Sequence, residues 1–368
     1  MMLKVLEITV SAAYGGGPQH VYELVSHLGD GVLVDIASPR QEPYWDRFST
    51  VIQGEMVEIP ERSFTFTAAL RLVKHVRRRK ISLLHSHGKG AGVYGRIVAA
   101  LTGVPLVHTP HGIHLDHYGW FMQGVYVVYE RLTGRIADRT IFVSKSEKAR
   151  ATALALWPSV PSRVISNGVR SWPEKVSHQW RRELRQSMGI GDEEVVIVTL
   201  SRFDYPKNMM EMATIAAHMS DVRFWFIGDG ADKQEVEEFC SKQELNNVWF
   251  PGFVPDPIRY LAAADVYLST SRWEGLPLSL LEAMALAKPV VASEVTGNCD
   301  AVHDNVTGYL YPLGATEQAV ELLSCLVNDR RMRNKMGQGS QQFQKSAFSV
   351  EAMAEKTLAV YKEILTII

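Results

Sequence analysis

The sequence predicts an α/β protein made of two parallel-sheet halves. Three observations carry this. Short β-branched runs alternate with longer helical patterns along 368 residues, and strands separated by helices build parallel sheets covered on both faces. The alternation stops in a polar stretch at 170–192, broken by Pro173, Gly189 and Gly191, and then restarts. The length is enough for two hydrophobic cores.

Taken in order, residues 3–10 form the first strand, which ends at Gly15-Gly16-Gly17. A helical pattern follows through Leu24, Val25 and Leu28. Residues 31–37 and 56–59 read as strands. Residues 67–79 read as a helix with Ala69, Leu72, Val73 and Val76 on one face. Strands follow at 81–85, 105–109 and 140–144. Residues 170–192 are expected to connect the halves. Strands at 194–200, 223–227, 248–250, 266–269 and 289–292 build the second sheet, with helices at 208–219, 232–242, 256–263 and 278–287. The stretch 350–368 is an amphipathic helix with no strand after it. The expected domains are therefore 1–170 and 171–349, with a C-terminal helix at 350–368. Ligands bind outside the carboxyl ends of strands in such sheets, and two such halves imply a ligand cleft between them.

Composition excludes several classes. Hydrophobic residues at 46% and charged residues at 21% rule out a disordered, collagenous or coiled-coil chain. No apolar run approaches the ~20 residues that cross a bilayer, and Glu7 interrupts the apolar start. Cys240, Cys299 and Cys325 are scattered without metal-ligand spacing, which fits a reduced cytoplasm. The net charge of −1 conceals an asymmetry. Residues 1–170 carry 20 basic and 13 acidic side chains, a net of +7, and residues 171–368 carry a net of −8. The split suggests that the halves meet different partners, with chance scatter of surface charge as the alternative that the counts alone favour, and nucleic acid is not an expected partner.

The strongest chemical signal is Glu274-Gly275-Leu276-Pro277-Leu278, followed by Glu282. Gly275 and Pro277 mark a helix start, with Glu274 on the loop before it and Glu282 on its first turns. Backbone N–H groups at such a start attract phosphate or sugar oxygens, and the two carboxylates can accept from sugar hydroxyls. Arg202 follows a strand end, with Lys207 five residues later. That spacing can place two cations in the cleft, although either alone reads as a solvated surface residue. The Gly15-Gly16-Gly17 turn is not G-x-G-x-x-G, so the dinucleotide fingerprint fails and an NAD-dependent oxidoreductase is excluded. Six histidines cluster in sequence: His85, His87, His108, His111, His114 and His117. No cysteine or tight carboxylate set accompanies them, so a metal is not expected.

Glu274, seven residues and Glu282 resemble the E-x7-E motif of family-4 retaining glycosyltransferases with the GT-B fold. Leu200-Ser201-Arg202-Phe203-Asp204-Tyr205-Pro206-Lys207-Asn208 resembles that family's Arg…Lys loop. Ile227-Gly228-Asp229-Gly230, Phe250-Pro251-Gly252-Phe253-Val254, Lys288-Pro289-Val290-Val291-Ala292, Thr109-Pro110-His111-Gly112 and Ser166-Asn167-Gly168-Val169 are similar to its other ordered stretches. The resemblance covers nearly the whole chain. It implies two Rossmann-like domains facing across a cleft, an acceptor-binding N-terminal domain and a nucleotide-sugar-binding C-terminal domain, with the last helix crossing back. It implies transfer of a sugar from a nucleoside-diphosphate sugar to a hydroxyl with retention, without a divalent metal or other cofactor.

By the same resemblance, Glu274, His111, Arg202 and Lys207 are the catalytic set. Glu274 holds the sugar hydroxyls, Glu282 the ribose, Arg202 and Lys207 the diphosphate, and His111 the sugar near its 6-position. Gly16, Gly17, Asp229, Gly230, Phe253, Val254, Gly275, Leu276, Pro277 and Leu278 complete the donor site, while His87 and His114 are candidates for the acceptor. The Glu274-Gly275-Leu276-Pro277 form favours UDP over GDP. A lipid-linked glycan acceptor in bacterial surface polysaccharide or glycolipid synthesis is expected. The basic helix residues Arg71, Lys74, Arg77, Arg78, Arg79 and Lys80 suggest a peripheral contact with the inner face of an anionic membrane, although a solvated helix face has the same pattern. Two other classes remain open: a sugar-nucleotide epimerase of the same fold, and a non-catalytic nucleotide-sugar or glycan-binding protein.

Overall fold

The structure is a computed structural model, and it describes residues 2–113, 115 and 119–367. The chain divides into two compact units, Met1–Gly168 with Val350–Ile368, and Val169–Ser349.

The first unit runs β1 (Leu3–Thr9), α1 (Gly16–His27), β2 (Val32–Ser38), α2 (Tyr44–Val51), β3 (Met56–Glu58), α3 (Phe66–Arg79), β4 (Leu83–His87), α4 (Gly88–Thr102), β5 (Leu106–Thr109), α5 (Trp120–Thr133), β6 (Arg139–Phe142), α6 (Lys145–Ala153) and β7 (Ser162–Val164). All seven strands are parallel, in the order β3-β2-β1-β4-β5-β6-β7. The central strands β1, β4 and β5 are buried over most of their length, including the polar residues Glu7, His85, Ser86, His87 and His108. One face is covered by Ala69, Leu72, Val73 and Val76 of α3 with Tyr94 and Val98 of α4. The other is covered by Val21 and Leu24 of α1 and by Met353, Val360 and Tyr361 from the last helix of the chain, Val350–Ile367.

The second unit begins with α7 (Glu174–Ser187) and continues with β8 (Val196–Leu200), α8 (Met209–Ala217), β9 (Arg223–Ile227), α9 (Lys233–Lys242), β10 (Val248–Gly252), α10 (Pro257–Ala263), β11 (Val266–Ser269), α11 (Leu278–Ala285), β12 (Val290–Ser293), α12 (Asn298–Ala301), β13 (Gly308–Tyr311), α13 (Thr316–Asn328) and α14 (Arg330–Ala347). The final helix, Val350–Ile367, is α15 and belongs to the first unit. The second sheet is also parallel, in the order β10-β9-β8-β11-β12-β13.

One expectation is corrected. The polar stretch 170–192 is not a plain connection: it contains the 14-residue helix α7. Its apolar residues are few because polar groups anchor it. Arg185 is buried and donates to Ala263 O and Asp265 Oδ2, each at 3.1 Å, and to Gly191 O and Glu194 O at 2.5 Å. A guanidinium with five donors satisfies carbonyls that an apolar stripe would leave bare.

Both sheets reverse strand order at their first strand, between β1 and β4 and between β8 and β11. Loops leave opposite faces on either side of such a reversal, and a crevice opens at the strand ends there.

Candidate functional site

In the second unit, the reversal brings the loop after β8 beside the loop after β11. The first of these carries Lys207 on a short 3-10 turn, Tyr205–Lys207. Asn208 follows with φ 53°, a left-handed conformation that Asn tolerates. Residues of the second loop clamp that turn. Thr270 Oγ1 donates at 3.1 Å to Lys207 O and Asn208 O. Arg272 N donates to Pro206 O at 2.8 Å, and its guanidinium lies 4.5 Å from the Tyr205 ring centroid and donates to Asn208 Oδ1 at 2.7 Å.

This clamp sets Lys207 Nζ 2.6 Å from Glu274 Oε1. Ser271 Oγ donates to the same oxygen at 2.6 Å. The ion pair is mostly buried, with side chains 21% and 11% exposed. Two charges so placed neutralise each other. Glu282 lies buried on α11, and Leu276, Pro277 and Leu278 are buried at the start of that helix.

The loop after β9 packs directly on the loop after β8. Ser201 N donates to Ile227 O and Phe203 N to Asp229 O. Gly228 is required there: its φ is 137°, and a Cβ would stand 1.9 Å from Ser201 O. Asp229 and Gly230 are exposed at the turn. Phe253 is also exposed, while Val254 is buried. Arg202 is half exposed and pairs with Asp204 at 2.9 Å. Burial raises the Asp204 carboxyl above its usual range.

In the first unit, the reversal joins β1 to β4, and the chemistry there is a histidine network. Tyr361 of α15 donates to Glu7 Oε1 at 2.8 Å. Glu7 Oε2 lies 2.7 Å from His87 Nε2, and His87 Nδ1 lies 3.0 Å from His111 Nε2. His85 places Nδ1 2.6 Å from Tyr361 Oη and Nε2 2.8 Å from Thr109 Oγ1. Two neighbouring histidines that bond its charged form hold the Glu7 carboxyl well below the usual range despite its burial. Burial holds His87 down to about 4 and also lowers His20, His108 and His111.

Counting protons assigns the tautomers. The Tyr361 proton goes to the Glu7 carboxylate, so His85 donates through Nδ1. His87 donates through Nε2 to Glu7, so its Nδ1 accepts from His111 Nε2–H. Neutral His111 therefore carries its lone pair on Nδ1. The strand-to-loop position of His111 is fixed from behind by Glu147, which accepts from Gly112 N and from Val143 N at 2.7 Å.

Several expected residues come together and others do not. Lys207 and Glu274 meet, whereas Arg202 faces Asp204. His87 is turned inward, both ring nitrogens bonded, and holds His111 instead of facing outward. Gly16 is exposed and Gly17 has open space beside it. His114 lies outside the described residues. The sequence argument against a metal fails in one respect, because a carboxylate does accompany the histidines. Glu7, His85 and His87 form one group whose ligand atoms lie close together, and His20, His87 and His111 form another. The hydrogen bonds above already engage Glu7, His85, His87 and His111. Glu7, Ser271, Arg272, Glu147 and Tyr361 were not singled out as functional in the sequence. Only Glu147 had a readable signal, the helix-start pattern Ser144-Lys145-Ser146-Glu147.

A model described as Glycosyltransferase Family 4 matches residues 14–171, and one described as Glycosyl transferases group 1 matches residues 181–343. The chain is similar to a UDP-Gal:alpha-D-GlcNAc-diphosphoundecaprenol alpha-1,3-galactosyltransferase of Escherichia coli, at 25% identity over 80% of this chain and 79% of that one. It is similar to an alpha-maltose-1-phosphate synthase of Mycolicibacterium smegmatis, at 28% identity over 95% and 96%. Its fold matches that of HepE from Anabaena, solved with UDP-glucose, with a TM-score of 0.85 at 20% identity over the whole of both chains.

Proposed function

The chain belongs to the group 1 and family 4 glycosyltransferases of GT-B fold, and from that premise we propose that it moves a sugar from a UDP-sugar to a hydroxyl acceptor with retention of configuration. The observation that carries the assignment is the Lys207–Glu274 pair at the strand-order reversal of the second unit. On donor binding each partner exchanges the other for substrate. Lys207 and Arg202 take the diphosphate oxygens, and Glu274 accepts from sugar hydroxyls. Glu282 takes the ribose. Gly16, Gly17, Asp229, Gly230, Phe253, Val254 and the start of α11 at Gly275, Leu276, Pro277 and Leu278 complete the donor site.

The bond from the anomeric carbon to the phosphate oxygen breaks, and the bond to the acceptor oxygen forms on the same face. The acceptor proton passes to the departing phosphate oxygen. The cations offset the charge that grows there. His111, its lone pair on Nδ1, accepts from the sugar near its 6-position. His87 positions His111, and no divalent metal takes part.

For the acceptor we favour a lipid-linked glycan in bacterial surface polysaccharide or glycolipid synthesis, on the cytoplasmic side of the membrane. The name of the E. coli relative describes a diphosphoundecaprenol-linked acceptor, although that of the mycobacterial relative names a sugar phosphate product. Among the described residues no helix is long and apolar enough to cross a membrane. A screen of the purified protein against UDP- and GDP-sugars tests the reading. Consumption of a UDP-sugar that rises with added acceptor is expected. Interconversion of the sugar without an acceptor would instead mark an epimerase, and binding without turnover a non-catalytic protein.

A further inference from the structure

Helix α5 is amphipathic in the reverse sense to a domain helix. Phe121, Val125, Val128 and Leu132 follow one another at four, three and four residues and so share one face. That face is exposed: Phe121 is 64% accessible, Leu132 72%, and the adjoining Trp120 85%. The residue the helix buries is Glu130, which accepts from Arg96 Nη2 at 2.5 Å and from Trp157 Nε1 at 3.0 Å. A contiguous exposed apolar surface of this kind marks an interaction site.

The surroundings indicate what covers it. Helices α3, α4 and α5 lie in one layer. Arg77 of α3 donates to Leu101 O of α4 at 3.0 Å, and Lys89 of α4 lies 4.7 Å from the Tyr126 ring centroid of α5. Phe64, Phe66, Leu70 and Leu101 are further exposed apolar residues of this layer. The three helices hold eight Lys and Arg against one carboxylate, and that carboxylate is Glu130, buried and paired. Arg78 and Arg79 are engaged by Glu55 and Asp35. Arg71, Lys74, Arg77 and Arg131 are exposed and have no carboxylate partner among the described residues. A second copy laid face to face would set these cations against one another.

We propose that the α3–α5 layer docks on an anionic phospholipid bilayer, with the Phe121–Leu132 face of α5 in the acyl boundary and the exposed Arg71, Lys74, Arg77 and Arg131 among the headgroups. The proposal deepens the lipid-linked reading of the acceptor and moves the contact from the basic helix alone to the apolar face of α5. The docking itself does not depend on which sugar is moved.

The test uses the full chain sedimented with phosphatidylcholine vesicles or with mixed phosphatidylcholine–phosphatidylglycerol vesicles. Binding to the mixed vesicles that weakens in high salt is expected. A variant with Phe121→Ser, Val128→Ser and Leu132→Ser should bind them at least ~10-fold more weakly. These side chains are exposed, so the variant keeps its thermal melt and its turnover of a UDP-sugar in solution. Equal binding by the variant, or no binding by the wild type, overturns the proposal. A dimer in solution that the variant abolishes also overturns it, in favour of a second copy. Loss of UDP-sugar turnover in the wild type, with vesicle binding intact, counts against the transfer reading and leaves docking in place.

Discussion

Tyr361, on the last helix, donates a 2.8 Å hydrogen bond to Glu7 on the first strand. The two residues stand 354 positions apart, and their bond closes the first unit around the histidine network. Tyr361→Phe should leave Glu7 Oε1 short of a donor, while His85 Nδ1–H keeps Glu7 Oε2 at 3.3 Å. A stability loss of roughly 1–3 kcal/mol is expected in urea titrations. Nitrogen-15 NMR should show His111 protonated on Nε2 in the wild type. A His111 proton on Nδ1 would contradict the proton count.

The Lys207–Glu274 pair should be catalytic without being structural. Lys207→Ala and Glu274→Ala should each lower kcat/KM by roughly 10²–10³, the scale set by losing one group that stabilises transition-state charge. Because each leaves a mostly buried charge unpaired, the double variant should cost less than the sum of the two singles. Steady-state kinetics of the three proteins decides this, and strictly additive losses would show that the two side chains act separately.

The histidines make the first unit acid-sensitive. His87 falls to about 4 in the folded state, below its unfolded value near 6.5. Between those values the unfolded chain binds more protons, so stability drops as pH falls from about 6.5 toward 4. His20, His108 and His111 shift the same way. Glu7, also lowered, adds a loss at still lower pH. His87 alone contributes roughly 3 kcal/mol. Urea midpoints at neutral pH and at pH ~5 should differ in this direction, and an unchanged midpoint would contradict neutral burial.

Gly228→Ala tests the packing of the nucleotide-side loops. Its Cβ would meet Ser201 O at 1.9 Å, in a backbone conformation that L residues rarely adopt. A loss of about 3 kcal/mol or more is expected in the second unit, with weakened nucleotide binding. Calorimetry and titration with UDP report the two effects.

Much of this was legible in sequence. The strands other than β7 and β13 read as strands because short apolar runs stand between turns and helical patterns, whereas Ser162–Val164 and Gly308–Tyr311 are short and lack a β-branched run. The residues beside Lys207 and Glu274 were legible by motif. Helix α7 was not, because Arg185 anchors it with polar bonds that no hydrophobic pattern reveals. Nor was Glu7, which in sequence merely interrupts an apolar strand. Its partners arrive from β4 and α15, through strand order and a returning helix that one-dimensional spacing does not encode. The reversed face of α5 was missed for a related reason. Periodicity gives the angle of an apolar stripe but not whether it points toward the sheet.

The most direct test of the account is proton NMR of the purified protein with a panel of UDP-sugars, following the anomeric signal during slow turnover. The account predicts that UDP and the α-anomer appear first from an α-linked donor, and that Lys207→Ala and Glu274→Ala abolish the signal. First release of the β-anomer would contradict retention. Failure of the wild type to bind any nucleotide sugar would contradict the central claim.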